Sequence, residues 1–138
     1  MHVDPDTGEV KLTNFVSVYT TGNVINPLMH RGQIDGGFVC GLGYAMTEQL
    51  IFEEGKVATT HFGEYKIPNI RDVPMCETVV LATVGDGSGP YKSVSIGEAA
   101  NLPVAAAIAN AVEDAVGVRI IDLPITSAKV FGALKGHR

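Results

Sequence analysis

Ser95-Ile96-Gly97-Glu98-Ala99-Ala100-Asn101 puts a single carboxylate where a glycine-bearing loop runs into an alanine-rich helical pattern. Charge is otherwise scarce there. Two roles fit Glu98. It can be a helix N-terminal acid, favoured by the positive end of the helix dipole. It can also be a general base in a poorly solvated pocket, taking a proton from a nucleophile. A second glycine-rich run lies upstream, Arg31-Gly32-Gln33-Ile34-Asp35-Gly36-Gly37-Phe38-Val39-Cys40-Gly41-Leu42-Gly43, introduced by Asn26-Pro27. Glycine at this density lets backbone approach backbone, or a flat ligand, closely.

Other chemistries find less support. His2, His30, His61 and His137 are scattered, with no pair at zinc-site spacing. No Gly-x-Ser-x-Gly elbow occurs, and neither Cys40 nor Cys76 carries a nucleophile signature. Gly85-Asp86-Gly87-Ser88-Gly89-Pro90-Tyr91-Lys92-Ser93 has the glycines of a phosphate loop. Its lysine does not follow a glycine, however, and Pro90-Tyr91 interrupts it. A generic nucleotide-binding domain is therefore disfavoured.

With 138 residues and 46% hydrophobic content, the chain is long and apolar enough for one domain with one real core. A net charge of −5 excludes the electrostatic footprint of a nucleic-acid or acidic-membrane binder. No apolar run is long enough to span a bilayer. The two cysteines lie in apolar settings and read as buried free thiols of a reducing compartment. The acidic, turn-like start gives no signal peptide, and the expected location is cytoplasmic. Val3-Asp4-Pro5-Asp6-Thr7-Gly8-Glu9-Val10 is a hairpin signal at the very start, which suits a fragment or one subunit of a split protein.

The elements follow from periodicity. Residues 10–19 alternate as one long strand. Asn26-Pro27 caps a helix running to about Leu50, with Ile34, Phe38, Leu42 and Met46 as its apolar stripe. Gly32, Gly36, Cys40 and Gly43 form a second stripe of small residues. Five glycines inside this helix cost about 0.5–1 kcal/mol each relative to alanine. Either packing on a sheet or contact with a flat ligand accounts for that cost. Two short strands flank Glu54-Gly55, residues 65–74 are irregular, and 77–84 is a strong, central strand. A second helix spans 101–116 and stops at Gly117, with Val104, Ile108, Val112 and Val116 inward. Residues 118–121 read as a strand and 126–134 as a closing helix capped by Thr126. The pattern predicts an α+β two-layer domain over 1–138, with helices on one face of a mixed β-sheet.

Taken in order, Asn26-Pro27, Gly32-Gln33-Ile34-Asp35-Gly36-Gly37, Gly41-Leu42-Gly43, Tyr65-Lys66-Ile67-Pro68, Ile96-Gly97-Glu98, Ala107-Ile108-Ala109-Asn110-Ala111-Val112 and Leu123-Pro124-Ile125-Thr126 resemble one known pattern. It is the C-terminal part of the molybdenum-binding subunit of the xanthine dehydrogenase/aldehyde oxidase family, and it covers essentially the whole chain. The chain departs from it at Thr20, where the family usually has Asp, at Val94, where Lys is common, and at Ser95, usually a smaller residue.

The resemblance implies a molybdopterin cofactor. It implies hydroxylation of an N-heterocycle (purine or nicotinate-like) or an aldehyde, with water as the oxygen source. Glu98 matches the family's catalytic base and Gln33 its pterin contact. The backbone of Ser95, Ile96 and Gly97 would line the cofactor. Iron–sulfur and FAD units are expected on partner subunits, and the rest of the molybdenum subunit is expected as a further partner. A homo-oligomer is left open. The competing expectation is a non-catalytic, truncated cofactor-binding module.

Overall fold

The computed structural model describes residues 1–81 and 89–136. In chain order the elements are β1 (His2–Val3), β2 (Val10–Lys11), β3 (Asn14–Thr20), α1 (Pro27–Met46), β4 (Phe52–Glu53), β5 (Lys56–Val57), α2 (Phe62–Tyr65), β6 (Met75–Leu81), α3 (Val104–Val116) and α4 (Ser127–Gly136). The α+β class holds. Among the described residues, however, the strands form three two-stranded pairs in place of one mixed sheet. β1 and β2 are antiparallel, β4 and β5 are antiparallel, and β3 and β6 are parallel.

Local signals explain most elements. The N-terminal hairpin closes through Gly8 N–H to the Asp4 carbonyl (2.8 Å), with the Asp4 side chain accepting from Asp6 N–H (2.9 Å). Gly8 has φ +73°, and a side chain there would strike the α4 backbone at Ser127 and Phe131. Asn26 caps α1 by accepting from Met29 N–H at 3.0 Å, with Pro27 in the first turn. Thr126 caps α4 through Lys129 N–H at 3.3 Å. Gly117 ends α3 in the left-handed region at φ +74°.

Several boundaries differ from the sequence expectation. The long strand over 10–19 is split, because β2 pairs with β1 whereas β3 runs in full register beside β6, from Asn14 opposite Met75 to Thr20 opposite Leu81. α1 stops at Met46. The N–H groups of Thr47 and Glu48 both donate to the Gly43 carbonyl at 2.8 Å, which closes the last turn early. α3 starts at Val104, later than expected, because Pro103 restricts the residue before it and offers no N–H. The short helix α2 lies just ahead of the stretch expected to be irregular. Residues 118–121 form no ladder among the described residues, although Val118 and Ile120 alternate into the core. β6 has β3 as its one partner among the described residues and is not central there; expected strand residues 82–84 and the glycines of 85–88 lie outside them.

The core gathers on α1 and α3. Phe38, Leu42 and Ala45 of α1 meet Val104, Ile108 and Val112 of α3, closed off by Val3, Ile120, Ile125 and Val130. Phe15 of β3 stacks under Phe38 with ring centroids 4.2 Å apart. Arg31 of α1 pairs with Asp35 (2.7 Å) and donates to the Cys76 carbonyl (3.3 Å), fastening the helix across β6. The outward residues Val16 and Val18 of β3 remain 58% and 57% exposed, so one face of the parallel pair is uncovered. Both cysteines are free, but Cys40 is exposed and Cys76 only partly buried, which corrects the expectation of two buried thiols. Cys40 sits on the small-residue side of α1, away from the Phe38–Leu42 stripe.

A Cβ on Gly41 would lie 2.7 Å from the Val104 side chain, whereas one on Gly36 would meet nothing within 4 Å. Gly41→Ala should therefore destabilise by about 1–3 kcal/mol, as overpacking does. Gly36→Ala should stabilise by roughly 0.5–1 kcal/mol through helix propensity alone; urea denaturation of both variants checks the contrast. Burial raises the Cys76 thiol and the Tyr44 phenol, and a hydrogen bond with Glu48 raises the Tyr65 phenol. The folded chain thus holds these protons more tightly than the unfolded one. Their contribution to stability is complete below the ordinary thiol and phenol range and is lost as pH rises through the raised folded values. Denaturation midpoints should fall on moving to alkaline pH, and Cys76 should react with a thiol reagent more slowly than Cys40.

Candidate functional site

Gln33 and Gly97 are far apart in sequence and adjacent in space. The Gln33 side-chain amide donates to the Gly97 carbonyl at 2.9 Å. Helical spacing explains how α1 reaches this loop: Gln33, Gly37, Gly41 and Tyr44 recur every three to four residues and share one face. Between the two polar side chains, the glycines let the 97–104 segment lie almost on the helix backbone. A Cβ on Gly37 would sit 2.6 Å from that of Ala100. At the far end the Tyr44 hydroxyl donates to the Asn101 carbonyl at 3.0 Å.

The segment is anchored on its other side by the loop after β3. Gly22 bridges Ser93, Asn23 N–H donates to the Lys92 carbonyl (3.1 Å), the Asn23 amide donates to the Tyr91 carbonyl (2.9 Å), and Val94 N–H donates to Thr21 (2.9 Å). Lys92 adopts φ +54° as the chain turns there. Residues 95–98 are thus suspended between two fixed points, with Ser95 Oγ accepting weakly from Gly97 N–H at 3.4 Å.

Glu98 stands in the turn leading to α3, not in its first helical turn. The helix-dipole effect fades within one turn, so the N-terminal-acid role loses its physical basis. The Asn101 side-chain amide donates to Glu98 Oε2 at 2.6 Å. Glu98 is exposed rather than sunk in a poorly solvated pocket. Burial holds the neighbouring Tyr44 phenol above its usual range, with Cys40 and Glu98 adding to the effect.

Across the chain the structure joins one pair of the five sequence-predicted site residues, Gln33 and Gly97; Ser95 touches Gly97 within the loop, and Glu98 stands beside it by chain adjacency. Ile96 joins them by adjacency and is partly buried. Tyr44, Asn101 and Asn23 were not anticipated. The helical spacing from Gln33 could have flagged Tyr44, and an amide three residues after a carboxylate could have flagged Asn101. Gly32 and Gly36 lie on the exposed side of α1 with open space beside them, whereas Gly37 and Gly41 are used for packing. Bare helix backbone beside the Gln33 amide and the exposed 95–97 backbone fits one edge of a flat, hydrogen-bonding cofactor. Among the described residues no group of three His, Cys, Asp or Glu side chains could hold a metal ion. A cavity of about 590 Å³ between Leu42, Met46, Arg71, Asp72 and Ile125 lies elsewhere and does not include Glu98. No helix among the described residues is long and apolar enough to cross a membrane.

Comparison with known proteins bears directly on this arrangement. Residues 1–74 match the family model of the molybdopterin cofactor-binding domain. The chain is 35% identical, over 99% of its length, to the gamma subunit of the 6-hydroxypseudooxynicotine dehydrogenase complex of Paenarthrobacter nicotinovorans, of which it covers 18%. It is 34% identical, over 94% of its length, to the xanthine dehydrogenase molybdenum-binding subunit of Escherichia coli O157:H7, of which it covers 17%. The fold superimposes on quinoline 2-oxidoreductase from Pseudomonas putida 86 with a TM-score of 0.89 and 32% identity, over 96% of this chain and 17% of that one. The chain thus spans less than a fifth of the length of these relatives. It belongs to the molybdopterin cofactor-binding domain family, the family of the molybdenum-binding subunits that its motifs resemble.

Proposed function

We propose that this chain is the C-terminal, glutamate-bearing portion of the molybdenum subunit of a hydroxylase that oxidises an N-heterocycle (purine or nicotinate-like) or an aldehyde with water as oxygen source. The observation that carries the reading is the Gln33–Gly97 hydrogen bond. It joins the two glycine-rich motifs into one edge, with Glu98 next to it. The names of the relatives, which span xanthine, a nicotine derivative and quinoline, support the substrate class at that level.

In this reading the molybdenum cofactor supplies the two-electron redox chemistry. Gln33 and the backbone of Ser95, Ile96 and Gly97 hold its edge, and the bare backbone at Gly32 and Gly36 leaves room for it. Glu98 acts as general base. Its Oε2 is held by Asn101, and a carboxylate held through one oxygen still has the other to take a proton from the water-derived nucleophile. The missing walls around Glu98 come from the remainder of the subunit. Iron–sulfur and flavin units on partner subunits carry the electrons away.

Glu98→Gln in the assembled enzyme is expected to lower kcat by about 10²–10⁴-fold, the usual contribution of a general base, with molybdenum content unchanged. Turnover retained in that variant sinks the base assignment. Gly36→Leu should lower molybdenum content without lowering the denaturation midpoint, since its side chain enters open space beside the cofactor edge. A metal-free, low-mass species purified from the native source would favour the non-catalytic module.

A further inference from the structure

Asn101 is half-buried and its side-chain amide has one partner in the described chain, Glu98 Oε2 at 2.6 Å. Such a bond to a carboxylate is charge-assisted and of the stronger kind. The turn does not need that side chain. Its backbone is closed by Asn101 N–H to the Glu98 carbonyl (3.2 Å) and by Val104 N–H to the Asn101 carbonyl (3.3 Å), bonds available to any residue at this position. The same Asn101 carbonyl also receives the Tyr44 hydroxyl at 3.0 Å. Tyr44 projects from α1, which carries much of the core, and Gly37 and Gly41 bring that helix into contact with Ala100 and Val104 on either side of Asn101.

We propose that Tyr44 and Asn101 are positioning residues for the Glu98 carboxylate. Asn101 holds one of its oxygens, and Tyr44 fixes Asn101 against α1. The inference rests on the reading of Glu98 as the base. A free glutamate in an exposed turn samples several rotamers, and a base is effective only within hydrogen-bond reach of the proton it takes. The chain from α1 through Tyr44 and Asn101 to Glu98 selects one orientation.

The test uses the assembled enzyme and the purified chain together. Asn101→Leu should lower kcat roughly tenfold to a hundredfold, the weight of a hydrogen bond to a charged group, with KM and molybdenum content unchanged. Asn101→Asp keeps the size and the backbone bonds but sets a like charge against Glu98. It should lose at least as much, where a merely structural role would tolerate it. Tyr44→Phe should lose less, and its loss should not add to that of Asn101→Leu. In the purified chain, NMR should show one Asn101 side-chain amide proton shifted downfield, returning toward the free position in Glu98→Ala and moving part of the way in Tyr44→Phe. Unchanged kcat in Asn101→Leu and Asn101→Asp, with Glu98→Gln inactive, overturns the positioning role and leaves the base reading standing. Retained turnover in Glu98→Gln overturns the base reading and the inference with it. An Asn101 amide signal insensitive to Glu98→Ala overturns the contact itself.

Discussion

The close approach of α1 to the 97–104 segment governs the rest of this structure. It is possible only because Gly37 and Gly41 present no side chain where Ala100 and Val104 press against the helix. The same contact does two things. It seals the α1–α3 core through Phe38, Leu42, Val104 and Ile108, and it lays the Gly97–Glu98 turn along a helix face carrying Gln33 at one end and Tyr44 at the other. Widening the gap by one methyl group would strain the packing and move the candidate base at once. Stability and site geometry therefore share one constraint.

The glycines of α1 divide by role. Gly37 and Gly41 serve packing, and Gly43 lies tightly against Glu48 and Pro68 near the helix end. Gly32 and Gly36 meet nothing, and in the folded chain they forgo helix propensity without a packing return. Both readings of the glycine run, packing and a flat ligand, thus keep a share of the helix. The uncovered outer face of β3 at Val16 and Val18 and the exposure of Glu98 belong with the chain's span of less than a fifth of its relatives. They are surfaces that the proposed remainder of the subunit would cover.

Much of this was legible locally. The Asn26-Pro27 cap, the Asp4–Gly8 turn, the Glu54-Gly55 hairpin, the Gly117 stop and the Thr126 cap all appear where the residues predict them. Each acts through hydrogen bonds or dihedral preferences confined to a few residues. The inward stripes of α1 and α3 were legible for the same reason, since helical periodicity is intrinsic to the chain. Motif order pointed to the family, and two of the residues its resemblance singled out, Gln33 and Gly97, meet in the structure. The early end of α1 was harder to read, because Thr47 and Glu48 compete for one carbonyl and no single residue announces that.

The amino-acid sequence by itself determined the three longer helices, where most of them are capped, which faces turn inward and which family the chain joins. Tertiary structure alone decided that residues 10–19 divide between two sheets, that β3 lies parallel to β6, and that Gly37 and Gly41 pack while Gly32 and Gly36 stay bare. It also decided that Tyr44 of α1 reaches the Asn101 carbonyl and that Glu98 stays in an open turn. Propensity and capping operate within about one turn of chain. Strand pairing and helix-to-loop contact join residues far apart in sequence, and their partners are selected only when the whole core closes.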